Sequence, residues 1–312
     1  EELLSISEVQ LQACALLEPI YERMGHHEGR IRVLQVRRSQ AEAIGSVDEA
    51  VAHLVEIARL REQELGDPHG AFDASREAYL MDPRRFDTRQ EVERLGLELR
   101  RFGELADLWR SALAHHSTKS DRALEIDLTT RMARLLDEQL RDQEGARQAY
   151  ADLLALDPPD ASLAREAVQK LCRLHLEAGD ELALIEAKRA LLRFCDSADD
   201  QVRIRLEVAH IQEELRDRIG AALTYSEVLD LRPSNPQALD ALERLFEEER
   251  EWERLCEVLE HRIGVTQDAR ARAWIWRRIG ETRRDHLDDV QGSIDAFQSV
   301  LDLKVGREDT VH

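Results

Sequence analysis

The chain has 312 residues and a formal net charge of −20, with 64 acidic against 44 basic side chains, 43% hydrophobic and 35% charged residues. The summed negative field repels phosphate backbones and anionic lipid surfaces, which argues against nucleic acid as a partner, and no apolar run reaches membrane-spanning length. Few aromatics, 14 glycines and seven prolines in a chain long enough to bury a core favour helices over sheets.

Forty of the 44 basic residues are arginine; the lysines are Lys119, Lys170, Lys188 and Lys304, and Asn235 is the one asparagine. This is the bias expected of a high-GC bacterial genome. Cys14, Cys172, Cys195 and Cys256 lie far apart with no C-x-x-C pair, so reduced, buried thiols in a cytoplasmic protein are expected rather than disulfides or zinc. The opening "EELLSISE" has neither an initiator methionine nor a basic-then-apolar leader, as expected of a segment excised from a longer chain.

Taken in chain order, the predicted elements begin with a helical half-module from Glu8 to Ala43. Its Leu17, Ile20, Tyr21, His27 and Leu34 return 225 residues later as Leu242, Leu245, Phe246, Trp252 and Leu259. Next comes "LGDPHGAFDASREAYLMDP" (65–83), then "LRDQEGARQAYADLLALDP" (140–158), then "LRDRIGAALTYSEVLDLRP" (215–233), each 75 residues after the last. A fourth copy, "LDDVQGSIDAFQSVLDL", aligns Leu287, Asp289, Gly292 and Phe297 after losing three residues. Apolar residues recur at three and four within each period, as in Leu239, Leu242, Leu245 and Phe246 followed by Trp252, Leu255 and Leu259, the stripe of an amphipathic helix.

Asp121, Asp142, Asp217, Asn235 before Pro236, and Asp268 are predicted helix starts, and Leu-Asp-Pro endings are predicted stops because proline disfavours helical geometry in the residue before it. Each period then holds four helices in two antiparallel hairpins. The whole chain is predicted as one continuous all-α domain of about sixteen helices in about eight hairpins: a half-module 1–45, modules at about 46–119, 120–196 and 197–266, and a partial module 267–312. No hairpin can bury its stripe alone, so neighbours must stack into an α-solenoid. The segments "HHSTKSD", "LDPPDAS" and "DSADD" read as loops between helices.

The second helix of each odd hairpin resembles the tetratricopeptide repeat (TPR): a small residue, an aromatic four later, and proline eight after that. Ala146, Tyr150 and Pro158 fit, as do Ala221, Tyr225 and Pro233. Ala71 and Pro83 fit with Ser75 in the aromatic slot, and Ser293 and Phe297 fit with Val305 in place of proline. A small residue twelve earlier, where two helices cross, is met by Ala209; Ala58, Ala133 and Gly280 stand thirteen before their partners, which predicts a loop one residue longer there. Trp276, Ile279 and Gly280 resemble the family's opening. In the even hairpins Phe102 and Trp252 fill the turn position, but Glu93 and Glu243 replace the small residue, a departure that bears on how closely those helices cross. The resemblance implies a right-handed superhelix whose first helices line a concave groove.

On that implied groove, the position after the small residue reads Arg59, Arg94, Arg134, Lys170, His210 and Arg244, a basic ladder ending at Glu281 and absent at Pro19. Guanidinium forks bind carboxylates bidentately, which points to an extended acidic peptide. The competing reading starts from Glu62, Glu98, Asp137, Glu138, Glu213, Glu214, Glu247 and Glu248, three or four residues behind the ladder, as pairs worth roughly 0.2–0.5 kcal/mol each to their own helices. The lysine–asparagine carboxylate clamp of the chaperone-binding TPR proteins is absent. Trp274 lies about 200° from Trp276 on a helix, so if Trp276 packs inward Trp274 faces the groove or a following module.

The histidine pairs His26–His27 and His115–His116 lack the spacing and neighbouring ligands of a metal site, and no nucleophile elbow, phosphate loop or carboxylate pair stands out. The reading is therefore a non-catalytic scaffold without cofactor or metal that binds a partner protein or peptide through Arg59, Arg94, Arg134, Lys170, His210, Arg244 and Trp274. The alternatives are a regulatory arm of a larger enzyme and a homotypic assembly module that stacks through its terminal half-modules.

Overall fold

The computed structural model describes residues 10–115 and 120–303, which form sixteen α-helices and no strand. In chain order these are α1 (Gln10–Met24), α2 (His27–Ala43), α3 (Val47–Arg59), α4 (Pro68–Met81), α5 (Phe86–Glu98), α6 (Phe102–Ala114), α7 (Arg122–Arg134) and α8 (Gln143–Ala155). They continue as α9 (Ala161–Ala178), α10 (Glu181–Leu191), α11 (Ala198–Glu214), α12 (Arg218–Leu231), α13 (Pro236–Glu248), α14 (Trp252–Val265), α15 (Ala269–His286) and α16 (Val290–Asp302). Short turns join them two by two, the expected all-α hairpin array. Val305 and His116 lie outside the described residues.

The helices group into two compact units, divided within α9 between Ala167 and Val168. In the first, Phe72, Tyr79, Val92, Leu105 and Trp109 form a continuous core across α4, α5 and α6. In the second, Tyr225, Leu242, Leu255, Leu259 and Ile279 do the same across α12 to α15. The small residues at the crossings, Ala58, Ala133, Ala209 and Gly280, are all buried, as are Ala71, Ala146, Ala221 and Ser293 opposite them, so the hairpins are TPR-like in their packing. All four thiols are free; Cys14 and Cys256 are buried, while Cys172 and Cys195 are only half-buried.

The recurring Asp-x-x-Gly has a physical cause. Asp67, Asp142, Asp217 and Asp289 each cap a helix by accepting a hydrogen bond from the amide of the glycine three residues on, at 2.9, 3.0, 2.9 and 2.9 Å. The capping carboxylate folds back over that glycine: a Cβ at Gly220 would lie 2.0 Å from the Asp217 oxygen and 2.4 Å from the Gln212 amide. The predicted caps Asp121, Asn235 and Asp268 accept amide hydrogen bonds in the same way.

The thirteen-residue spacing is resolved differently from the expected longer loop. The extra residue sits inside the first helix: α3 and α7 end in π-helical turns, Leu60–Glu64 and Leu135–Leu140. The amides of Asp67, Asp142 and Asp289 reach carbonyls six residues back, whereas that of Asp217 reaches five back to Gln212. A wide turn absorbs one residue while the helix end stays hydrogen-bonded to the following cap residue.

Several hairpin turns place an arginine in the left-handed region, among them Arg100, Arg141, Arg216 and Arg250 at φ +53° to +60°. This is the helix-ending position that glycine fills most easily, and Gly66 and Gly179 fill it elsewhere in the chain. Arg250→Gly is expected to stabilise the protein by about 0.5–1 kcal/mol, read as a higher urea midpoint, because the exposed Arg250 pays the Cβ strain of that conformation.

Candidate functional site

On the first helices, Arg59, Arg94, Arg134, His210 and Arg244 each meet a carboxylate. Arg59 is held by Glu56, one turn before it, at 2.7 Å, and this bond keeps the Glu56 carboxyl below its ordinary range. Arg94 donates to Glu91 and to both oxygens of Glu62 at 2.8 Å, and to Glu98 at 3.0 Å. Arg134 reaches Glu166 at 2.8 Å. In the second unit His210 lies 3.4 Å from Glu214, and Arg244 donates to Glu213 at 2.5 Å. Hydrogen bonds to these acids push the guanidinium groups of Arg94, Arg134 and Arg244 further toward the charged form. Lys170, on α9, also has an interaction partner.

The competing reading expected pairs inside one helix. A second set of links bridges first helices of successive hairpins: Glu62 to Arg94, Glu166 to Arg134 and Glu213 to Arg244 lie 31 or 32 residues apart. Sequence spacing alone misses them because the hairpin, not the turn of helix, sets that distance. The in-helix pairs Arg94–Glu98, His210–Glu214 and Arg244–Glu248 are present as well.

Glu93, half-buried, and Glu243, buried, the residues that replace the family's small residue, are the inner ends of a further set of links. Glu243 is only 5% exposed and accepts from Arg262 of α14 and, at 2.6 Å, from Arg278 of α15. Arg262 also donates to Asp240, and Arg278 to Glu247 at 2.9 Å. In the first unit Glu93 accepts from Arg131 of α7, the positional equivalent of Arg278, while burial pushes the Glu93 carboxyl above its ordinary range. The even crossings thus exchange close backbone approach for a charge-assisted staple to the next hairpin.

Between these links the same place in two modules opens as a pocket. In the first unit it has a volume of about 260 Å³ and is lined by Val55, Ala58, Arg59, Glu62, Ser75 and Asp87, among others. In the second, a wider basin of about 540 Å³ is lined by Leu206, His210, Tyr225 and Gln237, which are the repeat equivalents of Val55, Arg59, Ser75 and Asp87. Ser75 in an aromatic slot is the sequence sign of the first pocket alone; the second opens beside Tyr225, where the slot is filled, and has no such sign.

Trp276 packs against the second unit's core, and Trp274 stands 58% exposed with the Arg278 guanidinium 5.7 Å from its ring centre. His26 caps α2 by accepting from the Gly29 amide at 2.8 Å, and His27 lies 3.6 Å from Glu64, so both have partners within the fold.

No family model matches this sequence, and no curated protein matches it. Among solved structures the chain is similar to MamA, with 17% identity over 52% of this chain and 89% of that one and a TM-score of 0.29. It is also similar to a tetratricopeptide repeat protein from Parabacteroides merdae ATCC 43184, with 17% identity, 83% and 94% coverage and a TM-score of 0.32. A third is Naa15/Naa10 bound to HypK-THB, with 12% identity, 95% and 56% coverage and a TM-score of 0.38.

Proposed function

We propose that the protein is a non-catalytic scaffold that binds a segment of a partner protein on the first-helix face of its hairpins. The observation that carries this is the recurrence of a pocket at equivalent repeat positions in the two units, between Arg59 and Ser75 in one and between His210 and Tyr225 in the other. A fold built only to span distance has no reason to open the same place twice. Arg59, Arg94 and Arg134 in the first unit, and Lys170, His210 and Arg244 in the second, supply ionic contacts by exchanging an internal carboxylate for one on the partner. Trp274 supplies an apolar contact. Exchange is hardest at Arg94, which holds three acids.

A photo-crosslinking amino acid placed at Arg59 or His210 is expected to capture a partner from lysate of the source organism, while the same group at Asp152, on a second helix, captures none. Capture from Asp152 alone overturns this face as the binding surface.

A second reading, stacking of copies end to end, is favoured by exposed apolar stripes: Leu16, Ile20 and Met24 on α1, and Val290, Ile294 and Leu301 on α16. Light scattering should then show mass rising with concentration, and Leu16→Lys with Leu301→Lys should abolish the rise. A monomer at every concentration removes this reading.

A further inference from the structure

In three of the four modules the protein fills the aromatic slot from within. Tyr150 and Tyr225 are buried there and Phe297 lies against Gly280, where a Cβ would be 3.0 Å from its ring. The tyrosine hydroxyls point at the acid four residues after the small crossing residue: Tyr225 donates to Glu213 at 2.7 Å, and Tyr150 approaches Asp137 at 3.5 Å. Glu213 serves two donors at once, Tyr225 on one oxygen and Arg244 on the other. The result is a Tyr–Glu–Arg triad spanning three helices.

The first module has two thirds of that triad. Glu62 occupies the position of Glu213 and Arg94 that of Arg244, joined at 2.8 Å, but the tyrosine is replaced by Ser75, itself 3% exposed. The space the ring would take lies at the Ser75 end of the 260 Å³ pocket, with Ala58 and Val55 as apolar walls and Glu62 on its rim; in the third module Tyr225 fills that end and the basin that remains opens beside its ring. It is smaller than the roughly 300–1,000 Å³ of most small-molecule sites, a size suited to one inserted side chain. A carboxylate has about four acceptor positions, so Glu62 can take a hydroxyl proton donor while it keeps Arg94.

We propose that this pocket receives an unmodified tyrosine side chain from the partner, its ring on Ala58 and Val55 and its hydroxyl donating to Glu62, completing in trans the triad that the third module forms in cis. The proposal rests on the scaffold reading and names the anchor of its partner. Glu62, Asp87 and Glu91 around the mouth outnumber Arg59, and the Arg59 charge is already met by Glu56. The mouth therefore rejects a phosphorylated tyrosine and favours basic residues beside the anchor.

Titration of the full chain with N-acetyl-tyrosinamide, followed by amide NMR, should shift Ala58, Ser75 and Thr88. N-acetyl-phenylalaninamide should bind roughly tenfold more weakly, the loss of one charge-assisted hydrogen bond, and the phosphotyrosine amide should not bind. Ser75→Tyr should fold with an unchanged or raised urea midpoint and abolish the shifts, because the slot is then filled from within. Glu62→Gln should keep aromatic binding and reduce the tyrosine preference, which tests the proposal even where Ser75→Tyr does not fold. Shifts that persist in folded Ser75→Tyr, a preference for the phosphorylated amide, or no response in the wild type overturns the proposal. Crosslinking at His210 reads the scaffold function separately, so a captured partner with no tyrosinamide response removes the aromatic anchor alone.

Discussion

Glu243→Ala is expected to destabilise the unit that contains it by about 3 kcal/mol, read as a lower urea midpoint with little change in slope. At first sight the substitution improves the chain, since it installs the small residue that a helix crossing of this kind prefers. The surroundings decide otherwise. Glu243 is buried and neutralises Arg262 and Arg278, both of which are about three-quarters covered. Removing it leaves two poorly solvated guanidinium groups without their shared carboxylate, with Asp240 and Glu247 at their outer edges. A combined Glu243→Met, Arg262→Leu, Arg278→Met variant should recover most of the loss, because a well-packed apolar cluster replaces a buried ion network at little net cost. If Glu243→Ala were neutral, the staple between α13, α14 and α15 would carry no weight in the fold.

Trp109→Ala is expected to cost about 3–5 kcal/mol in the first unit. Trp109 is 1% exposed and meets Tyr79 edge to face, with ring centres 5.4 Å apart at 87°. Truncation opens a cavity between α4 and α6 that backbone relaxation cannot close, because Leu105 already presses on Gly96, where a Cβ would lie 2.6 Å away. Repeat arrays lose stability locally, so hydrogen exchange should accelerate first in α4, α5 and α6. Trp109→Phe, which keeps an edge for Tyr79, should lose markedly less. Equal losses in the two variants would show that indole volume and not the aromatic contact matters there.

The two effects differ in how visible they were beforehand. Trp109 lies in a periodic apolar stripe, and any residue on that stripe is expected to be buried. Glu243 was visible only as a departure from pattern, with no indication of what answered it, because Arg278 lies 35 residues away on another hairpin. The same holds along the ladder. Its in-helix acids Glu98, Glu214 and Glu248 stand beside Arg94, His210 and Arg244 at the four-residue spacing legible along one helix. Glu166, which meets Arg134 from the next hairpin, carries no local spacing that marks it.

The repeat, the helix content and the hairpin order follow from local physics: apolar spacing, carboxylate caps over glycine, and proline stops act within a few residues and recur every 75. Packing between hairpins sets where the thirteenth residue goes, which acid answers which arginine, and that the space beside Ser75 stays open. Each of these depends on distances between hairpins, and those are set by how neighbouring side chains fill the space between stacked helices. Packing of this kind is collective, so no periodicity along one strand of text encodes it.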